Sequence, residues 1–307
     1  MRRRADLICA ALFVIGTLGV GALPARSAEQ GKMVKSGNVS LFVETRGSGG
    51  VRPLVMVNGG PGFDHLYVHC STAWDMLAKN RRVVFYDQRG TGRSSALKSG
   101  ISCKLGDQID DLEAVRASLG SPKIDLLGHS WGGYLVMAYA ARHPEAIAHL
   151  MIVDSAAPKW GDTEFIFKYI FPEGLERQAS VQFAEALGDT DAIHKDLSEY
   201  FSWLFYDPDH RDEFLKHMGE YHYYPEVNRT LNADLANYDL GPELKKYSFP
   251  TLVVTGRYDI NVAPSTAWKI HQSIPNSRFV VFERSGHIPY YEEREKFVST
   301  IEDFLSH

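Results

Sequence analysis

The sequence predicts an α/β fold in which a mostly parallel central sheet is flanked by helices and interrupted by a mainly helical insertion. Between residues 54 and 153, short apolar runs of the strand type alternate with segments whose apolar residues recur at helical spacing. Such alternation is typical of parallel strands joined by crossover helices. The rhythm stops over residues 157–246, which are rich in aromatic and charged residues, and it returns at Phe249. We therefore expect a core formed by residues 29–156 and 247–307, with the insertion between them.

The first 28 residues have the composition of a secretory signal peptide. Three arginines at positions 2–4 precede an almost uninterrupted apolar stretch over residues 7–23, and small residues follow at positions 25, 27 and 28. A membrane anchor is the alternative, because the stretch approaches the length of a membrane span. The glycines within it and the alanine-rich exit favour cleavage, at a position that the sequence leaves open. We expect a secreted or periplasmic protein with no stable membrane insertion after cleavage.

The net charge limits the classes of partner, and the number of cysteines limits the possible disulfides. The 307 residues carry a formal net charge of −5, and loss of four arginines and one aspartate with residues 1–28 makes it −8. An acidic protein without a basic block argues against nucleic acid as a partner. Of the three cysteines, Cys70 and Cys103 remain, as either a disulfide or two unrelated buried thiols. The sequence does not indicate the oligomeric state.

Ser130 lies where a strand-like segment meets a helix-like segment. Residues 128–132 read Gly-His-Ser-Trp-Gly, between an apolar run that ends at Leu127 and a helical pattern over residues 134–142. This is the context that a G-x-S-x-G nucleophile elbow requires. The tight turn strains the backbone and lifts the serine hydroxyl above the sheet, and the glycines leave the space that larger side chains would fill. An ordinary glycine-rich turn is the alternative, but both flanks favour Ser130 as a nucleophile.

A serine nucleophile needs a base and an acid that orients the base, in the chain order Ser, Asp/Glu, His. Asp259 follows the strand-like run over residues 251–255, and His287 follows the last strand-like run. Both therefore lie at the carboxyl ends of strands, the edge where open α/β sheets bind ligands. We interpret His287 as the base and Asp259 as the acid. Asp154, after the preceding strand, is the rival acid.

The oxyanion that forms during acyl transfer needs hydrogen-bond donors, typically backbone N–H groups. One donor is expected from Trp131, the residue after the nucleophile. The second is expected from the loop over residues 58–62, Asn-Gly-Gly-Pro-Gly, because its glycines let the backbone approach a substrate closely.

Five motifs together resemble the α/β-hydrolase fold family and, within it, the proline iminopeptidase branch. They are N-G-G-P-G, D-Q-R-G-T-G-R-S, G-H-S-W-G-G, G-R-Y-D and S-G-H. The resemblance implies a helical cap over residues 157–246, release of N-terminal residues from short peptides, and no metal or organic cofactor. It also implies a catalytic triad and two oxyanion donors: Ser130, Asp259 and His287, with Gly60 and Trp131.

Three features depart from that branch. Asn58 replaces the usual loop histidine, and a signal peptide is unusual in a branch associated with the cytoplasm. Family peptidases hold the α-ammonium group of the substrate with cap glutamates, since a buried cation needs an opposite charge. Glu220 is the candidate here, with a solvated carboxylate at a helix end as the alternative reading. No second glutamate is evident.

The sequence therefore predicts a serine aminopeptidase that acts on small peptides. An esterase, lactonase or amidase that uses the same residues on small non-peptide substrates is the alternative. A non-catalytic ligand-binding relative is a third hypothesis, which an intact triad and oxyanion loop disfavour.

Two further motifs have plainer interpretations. His65 and His69 are four residues apart, as on a metal-binding helix face, but no acidic residue near them completes a site. We interpret them as loop histidines and predict no metal site. Arg89 and Arg93 could bind a carboxylate, but arginines in such a segment more often pin the loop to the sheet edge.

Overall fold

The computed structural model describes residues 30–50, 52–98, 100–173, 189–217 and 222–307. The predicted signal peptide, residues 175–187, whose sequence pattern also predicts a helix, and Glu220 all lie outside these residues.

Within the described ranges, eight strands form one sheet, in the order β1-β2-β4-β3-β5-β6-β7-β8. The strands are β1 (Gln30–Ser36), β2 (Val39–Arg46), β3 (Leu54–Val57), β4 (Val83–Tyr86), β5 (Ile124–His129), β6 (Ile147–Val153), β7 (Thr251–Gly256) and β8 (Arg278–Phe282). The hairpin β1–β2 and the pair β2–β4 are antiparallel, whereas the pairs from β4 through β3 to β8 are parallel. The predicted mostly parallel sheet is confirmed.

The helices of the described residues flank this sheet and follow the insertion. They are α1 (Leu66–His69), α2 (Ala73–Ala78), α3 (Leu105–Ser118), α4 (Trp131–Arg142), α5 (Phe167–Ile170), α6 (Thr190–Ser202), α7 (Pro208–Lys216), α8 (Pro225–Leu235), α9 (Gly241–Leu244), α10 (Pro264–Ser273), α11 (Pro289–Glu292) and α12 (Arg294–Leu305). None of them is long and apolar enough to cross a membrane.

Apolar side chains pack on both faces of the sheet. On one face, Leu126 of β5 packs in a cluster with residues of α3 and α4. On the other face, Leu127 of β5 packs with residues of α2 and α12. All six residues of β5 are buried, as expected for a central strand covered on both faces. This double burial fixes the strand ends that carry the candidate site.

Between β6 and β7 the described elements are helices and short turns, α5 to α9 among them. We refer to residues 157–246 as the insertion. Its helix α6 packs Leu197 and Phe201 into the same cluster as Phe63 and Tyr67 of the core. The insertion is therefore anchored on the loop that follows β3.

No disulfide joins Cys70 and Cys103, both of which are described. The Cys70 Sγ donates to the carbonyl of Tyr67 at 3.1 Å, and the Cys103 thiol is buried beside Gln108.

Candidate active site

Ser130 occupies the turn between β5 and α4. Its backbone has φ 57° and ψ −121°, a conformation that non-glycine residues rarely adopt and that concentrates at functional sites. The strain is held by packing, because a Cβ on Gly128 would overlap the carbonyl of Gly132, and one on Gly132 would overlap the carbonyl of Val57. Ser130 itself is only partly buried. The geometry is that of a nucleophile elbow.

His287 and Asp259 form a hydrogen-bonded pair beside this elbow. Nδ1 of His287 donates to Oδ2 of Asp259 at 2.7 Å, and both side chains are buried. The neighbour of Ser130 brings the pair into place, since Nε2 of His129 donates to the carbonyl of His287 at 2.7 Å. Burial lowers the pKa of His287 to about 3, which keeps the imidazole neutral and able to accept a proton.

The carboxylate of Asp259 is fixed by two more donors. The backbone N–H groups of Asn261 and Val262 donate to Oδ1 at 2.8 and 2.9 Å. With the proton of His287, Asp259 thus accepts three hydrogen bonds, which favour its charged form.

Asp154, the rival acid, lies in the same buried space. A carboxylate oxygen of Asp154, a carboxylate oxygen of Asp259 and a ring nitrogen of His287 lie within 4.8 Å of one another. Asp154 has a positive φ of 44°, and its Oδ1 accepts the backbone N–H of Gly256 at 2.8 Å. Burial, and then the charge of Asp259, raises the pKa of Asp154 well above its usual range. His287 donates to Asp259 and not to Asp154, so the geometry assigns the orienting role to Asp259.

Asn261 is a residue of the site that the sequence did not reveal. Its Nδ2 lies 3.1 Å from Nε2 of His287, and its Oδ1 accepts a hydrogen bond from the hydroxyl of Tyr200 in α6 at 3.0 Å. The only available signal was a polar residue two positions after Asp259, between Ile260 and Val262.

The two predicted oxyanion donors belong to the elbow and to the loop next to it. Gly59 packs against the Cβ of Ser130, so the loop after β3 lies directly over the serine. The backbone N–H of Gly59 donates to the hydroxyl of Tyr67. Within the described residues, the N–H groups of Gly60 and Trp131 donate to no protein acceptor. Both groups are therefore available to a ligand at Ser130.

Asn58, where the resemblance implies a histidine, anchors the loop through its side-chain amide. Its Nδ2 donates to the carbonyls of Gly59 and Phe63, each at 3.0 Å, and so bridges the two ends of the loop. Gln88 connects this loop to the elbow. It donates to the carbonyl of Asn58 at 2.9 Å and accepts from Nε1 of Trp131 at 2.8 Å.

The insertion contacts the same loop. Phe63 and Tyr223 form an antiparallel β-bridge, flanked by hydrogen bonds from Tyr224 N–H to the Gly62 carbonyl at 2.8 Å and from Asp64 N–H to the His222 carbonyl at 3.2 Å. The insertion also touches the loop of His287, whose backbone N–H donates to the carbonyl of Leu204 at 2.7 Å.

A cavity of about 340 Å³ lies between the insertion and the core. From the core it is lined at Gly60 and Asn261, next to the elbow and to His287. Aromatic side chains such as Phe165 supply part of the wall on the insertion side. Among the described residues, the charged side chains on the wall are Asp196 of α6 and Lys168 of α5.

The expectation that no acidic residue lies near His65 and His69 is wrong. Glu44 of β2 is buried between them, with oxygens 3.2 Å from Nε2 of His65 and 2.6 Å from Nε2 of His69. Nδ1 of His65 contacts Asp87 at 2.7 Å. Glu44 is distant in sequence from both histidines and reaches them only through the pairing of β2 with β4.

The same cluster contains a guanidinium that balances its charge. Arg46 contacts both His69 and Glu44. Against the effect of burial, hydrogen bonds to Asp87 and Glu44 raise the pKa of His65 to about 9. The carboxylates of Glu44 and Asp87 therefore face the cations of His65 and Arg46, with Arg93 3.8 Å from Glu44, and the cluster is an internal ion network.

Arg89 pins its loop, as expected. Its guanidinium makes a bidentate contact with Asp111 of α3, at 2.7 and 2.6 Å. Arg93 stacks on the ring of Phe42. Both guanidinium groups therefore make contacts within the protein.

Comparison with known proteins decides the family. Residues 52–294 match the family model described as alpha/beta hydrolase fold. The chain belongs to this family. It is 31% identical to a proline iminopeptidase of Saccharolobus solfataricus over 272 residues, which cover 85% of this chain and 86% of that protein. A proline iminopeptidase of Heyndrickxia coagulans is 29% identical over 285 residues, covering 89% and 96% of the two chains. In sequence, this α/β-hydrolase is thus proline iminopeptidase-like.

Solved structures share the fold at lower identity. An esterase from Exiguobacterium antarcticum superposes with a TM-score of 0.71 at 24% identity, covering 91% of this chain and all of that one. A proline iminopeptidase from Mycobacterium smegmatis superposes with a TM-score of 0.67 at 24% identity, covering 90% and 98% of the two chains. The fold is therefore common to peptidases and esterases.

Proposed function

We propose that this protein is an aminopeptidase that releases N-terminal residues from small peptides through an acyl-enzyme, in the manner of a proline iminopeptidase. The observation that carries the proposal is the convergence of Ser130 on its strained elbow with the buried pair His287–Asp259. The sequence relatives named above support the peptidase class.

In this mechanism Ser130 Oγ attacks the carbonyl carbon of the first residue while Nε2 of His287 takes its proton. Asp259 stabilises the resulting imidazolium through its hydrogen bond to Nδ1. The negative charge on the carbonyl oxygen is met by the N–H groups of Gly60 and Trp131. His287 then returns the proton to the leaving amine, and water hydrolyses the acyl-enzyme by the same route.

An aminopeptidase must also hold the substrate's α-ammonium group. Asp196 lines the cavity and supplies a carboxylate on the insertion side. Glu220, the candidate from the sequence, lies outside the described residues, three positions before Tyr223, which also lines the cavity. We propose the insertion as the cap that selects amine-bearing substrates, with Asp196 and Glu220 as its carboxylates.

An esterase, lactonase or amidase on small non-peptide substrates is the second candidate function. Lys168 favours it, because a lysine in the cavity wall attracts an anionic substrate and repels an ammonium group. The same nucleophile, base and oxyanion donors serve either reaction.

One pair of substrates separates the two functions. Prolyl- and alanyl-naphthylamide are compared with an acyl p-nitrophenyl ester, each with the unmodified protein and with Ser130→Ala. We expect both activities to be lost in the variant. Ester turnover with no naphthylamide turnover would reject the aminopeptidase, and activity that survives in Ser130→Ala would reject the nucleophile.

The ammonium site is tested with charge-neutralising variants. Asp196→Asn and Glu220→Gln should raise KM for the naphthylamides about tenfold or more, as expected for loss of a charged hydrogen bond, and leave the ester unaffected. Asp191→Asn, on the exposed side of α6, is the matched control. Equal effects on amide and ester would remove these carboxylates from amine recognition.

We also propose export of the protein with cleavage of a signal peptide that lies within residues 1–28. Mass spectrometry of the mature chain isolated from the producing cell tests this, and an intact N-terminus in the cytoplasmic fraction would contradict it.

A further inference from the structure

Nε2 of His287 has one in-plane lone pair, and Asn261 occupies it. Because Nδ1 carries the proton that is donated to Asp259, Nε2 of the neutral ring can only accept. Asn261 Nδ2 donates to it at 3.1 Å, and no hydrogen bond within the described residues joins Nε2 to Ser130 Oγ. Deprotonation of Ser130 requires its hydroxyl to donate to that same lone pair. The two contacts exclude each other.

The position of Asn261 is set from the insertion. Its backbone is fixed by Asp259, but its side-chain amide is oriented by the hydroxyl of Tyr200, which donates to Oδ1 at 3.0 Å. Tyr200 belongs to α6 and packs against Phe201 and Phe167. The chain of contacts therefore runs from the insertion through Tyr200 and Asn261 to the base.

Tyr200 and Asn261 both line the cavity of about 340 Å³. A molecule that fills this space contacts the pair directly and can replace either hydrogen bond with one of its own. The cavity thus gives a ligand access to the contact that holds Nε2.

We propose that Asn261, anchored by Tyr200, is a positioning residue that withholds Nε2 of His287 from Ser130 until a ligand enters the cavity. When the ligand displaces the Tyr200–Asn261 contact, the amide turns away and the Ser130 hydroxyl donates to Nε2. The proton of Ser130 then passes to Nε2 as Oγ attacks. The proposal rests on Ser130 and His287 as nucleophile and base, and it is independent of whether the substrate is a peptide or an ester.

The contact also lowers the affinity of the base for a proton. An N–H that faces Nε2 favours the neutral imidazole and opposes the imidazolium, whose own N–H would point at the amide donor. Removal of the Asn261 amide should therefore free the lone pair and move the titration of His287 to higher pH.

The test uses diethyl p-nitrophenyl phosphate, a small reagent that reports on serine reactivity. Ser130 Oγ forms the bond to phosphorus, p-nitrophenolate leaves, and the serine proton goes to His287. Asn261→Leu, which keeps the size of the side chain without its donor, should react about tenfold faster at pH 7, the effect of one hydrogen bond. The acid limb of its pH profile should lie at higher pH than in the unmodified protein.

Tyr200→Phe removes only the anchoring hydroxyl and should change the rate in the same direction by a smaller factor. Asn237→Leu, at an exposed asparagine of the insertion that bonds the carbonyl of Asp234, is the matched control and should leave the rate unchanged.

Slower reaction of folded Asn261→Leu at every pH would overturn the proposal and make Asn261 a support for His287. If Asn261→Leu does not fold, Tyr200→Phe decides alone, and an unchanged or slower rate overturns the proposal. Failure of the proposed function looks different, because Ser130→Ala would then react as fast as the unmodified protein.

Discussion

Asp154 and Asp259 share one buried space next to His287, where two adjacent negative charges cannot coexist without a large cost. Burial raises the pKa of both carboxyls, and the charge of Asp259 raises that of Asp154 further. Three hydrogen-bond donors favour the charge on Asp259, so Asp154 is the protonated partner.

Asn is a close substitute for a protonated aspartic acid. We expect Asp154→Asn to retain activity within about threefold, because Asn keeps the acceptor for Gly256 and the absence of charge. Asp259→Asn should lose about 10³–10⁴-fold in kcat, since the base loses its tautomer and its counter-charge. Steady-state kinetics of the two variants on one ester decide the point. The reverse order of effects would make Asp154 the acid.

The depressed pKa of His287 predicts activity in acid. Burial lowers this pKa to about 3, far below the ordinary value of about 6.5, so the base remains neutral well below pH 6. The acid limb of kcat/KM, which reports the free enzyme, should therefore lie below pH 6. A limb between pH 6.5 and 7 would contradict the prediction.

The lowered pKa of His287 also makes the free energy of unfolding depend on pH. Below about pH 6.5 the unfolded chain binds a proton at this histidine and the folded chain does not, so the free energy of unfolding falls as pH falls. The contribution of the buried, neutral histidine to the free energy of unfolding is fully present above pH 6.5 and is lost progressively as the pH falls below that value. Urea unfolding at pH 7.5 and pH 5.5 measures the loss, and His287→Gln, which cannot titrate, should show a smaller difference between the two.

Gly132→Ala should disrupt the elbow. The added Cβ would overlap the carbonyl of Val57 and crowd that of Asn58, which must shift together with the oxyanion loop. We expect a loss of about 1–3 kcal/mol in the free energy of unfolding and a larger proportional loss of kcat. Gly106→Ala is the control, because its Cβ meets open space at the start of α3, and it should not destabilise. Equal behaviour of the two variants would contradict the steric argument.

Glu44→Gln should lower the free energy of unfolding, although Glu44 lies outside the candidate active site. It leaves the cations of His65 and Arg46 buried without their shared carboxylate, and breaking a buried ion pair costs about 3–5 kcal/mol. Urea unfolding measures the change. Glu283→Gln, which removes the partner of Arg257 in a fully exposed pair, should change little. A similar small effect at Glu44 would show that the network contributes nothing to stability.

The sequence predicted which residues lie at one edge of the sheet wherever local backbone geometry determines their position. Ser130, Asp259 and His287 each follow a strand, and parallel strands place their carboxyl ends at one edge, so the chain order sufficed to bring them together. The glycines of the elbow carry their steric reason within five residues. These positions needed no knowledge of packing.

Contacts across long sequence separations escaped prediction. Glu44 reaches His65 and His69 only because β2 lies antiparallel to β4, and Asn261 meets Tyr200 only because the insertion folds back over β7.

The bridge between Phe63 and Tyr223 makes the oxyanion loop a shared border of core and insertion. A chimaera that exchanges residues 157–246 between relatives would therefore change the chemistry as well as the substrate range, since the incoming segment would pair anew with the loop that carries Gly60. The unit suited to recombination is the insertion together with residues 61–64.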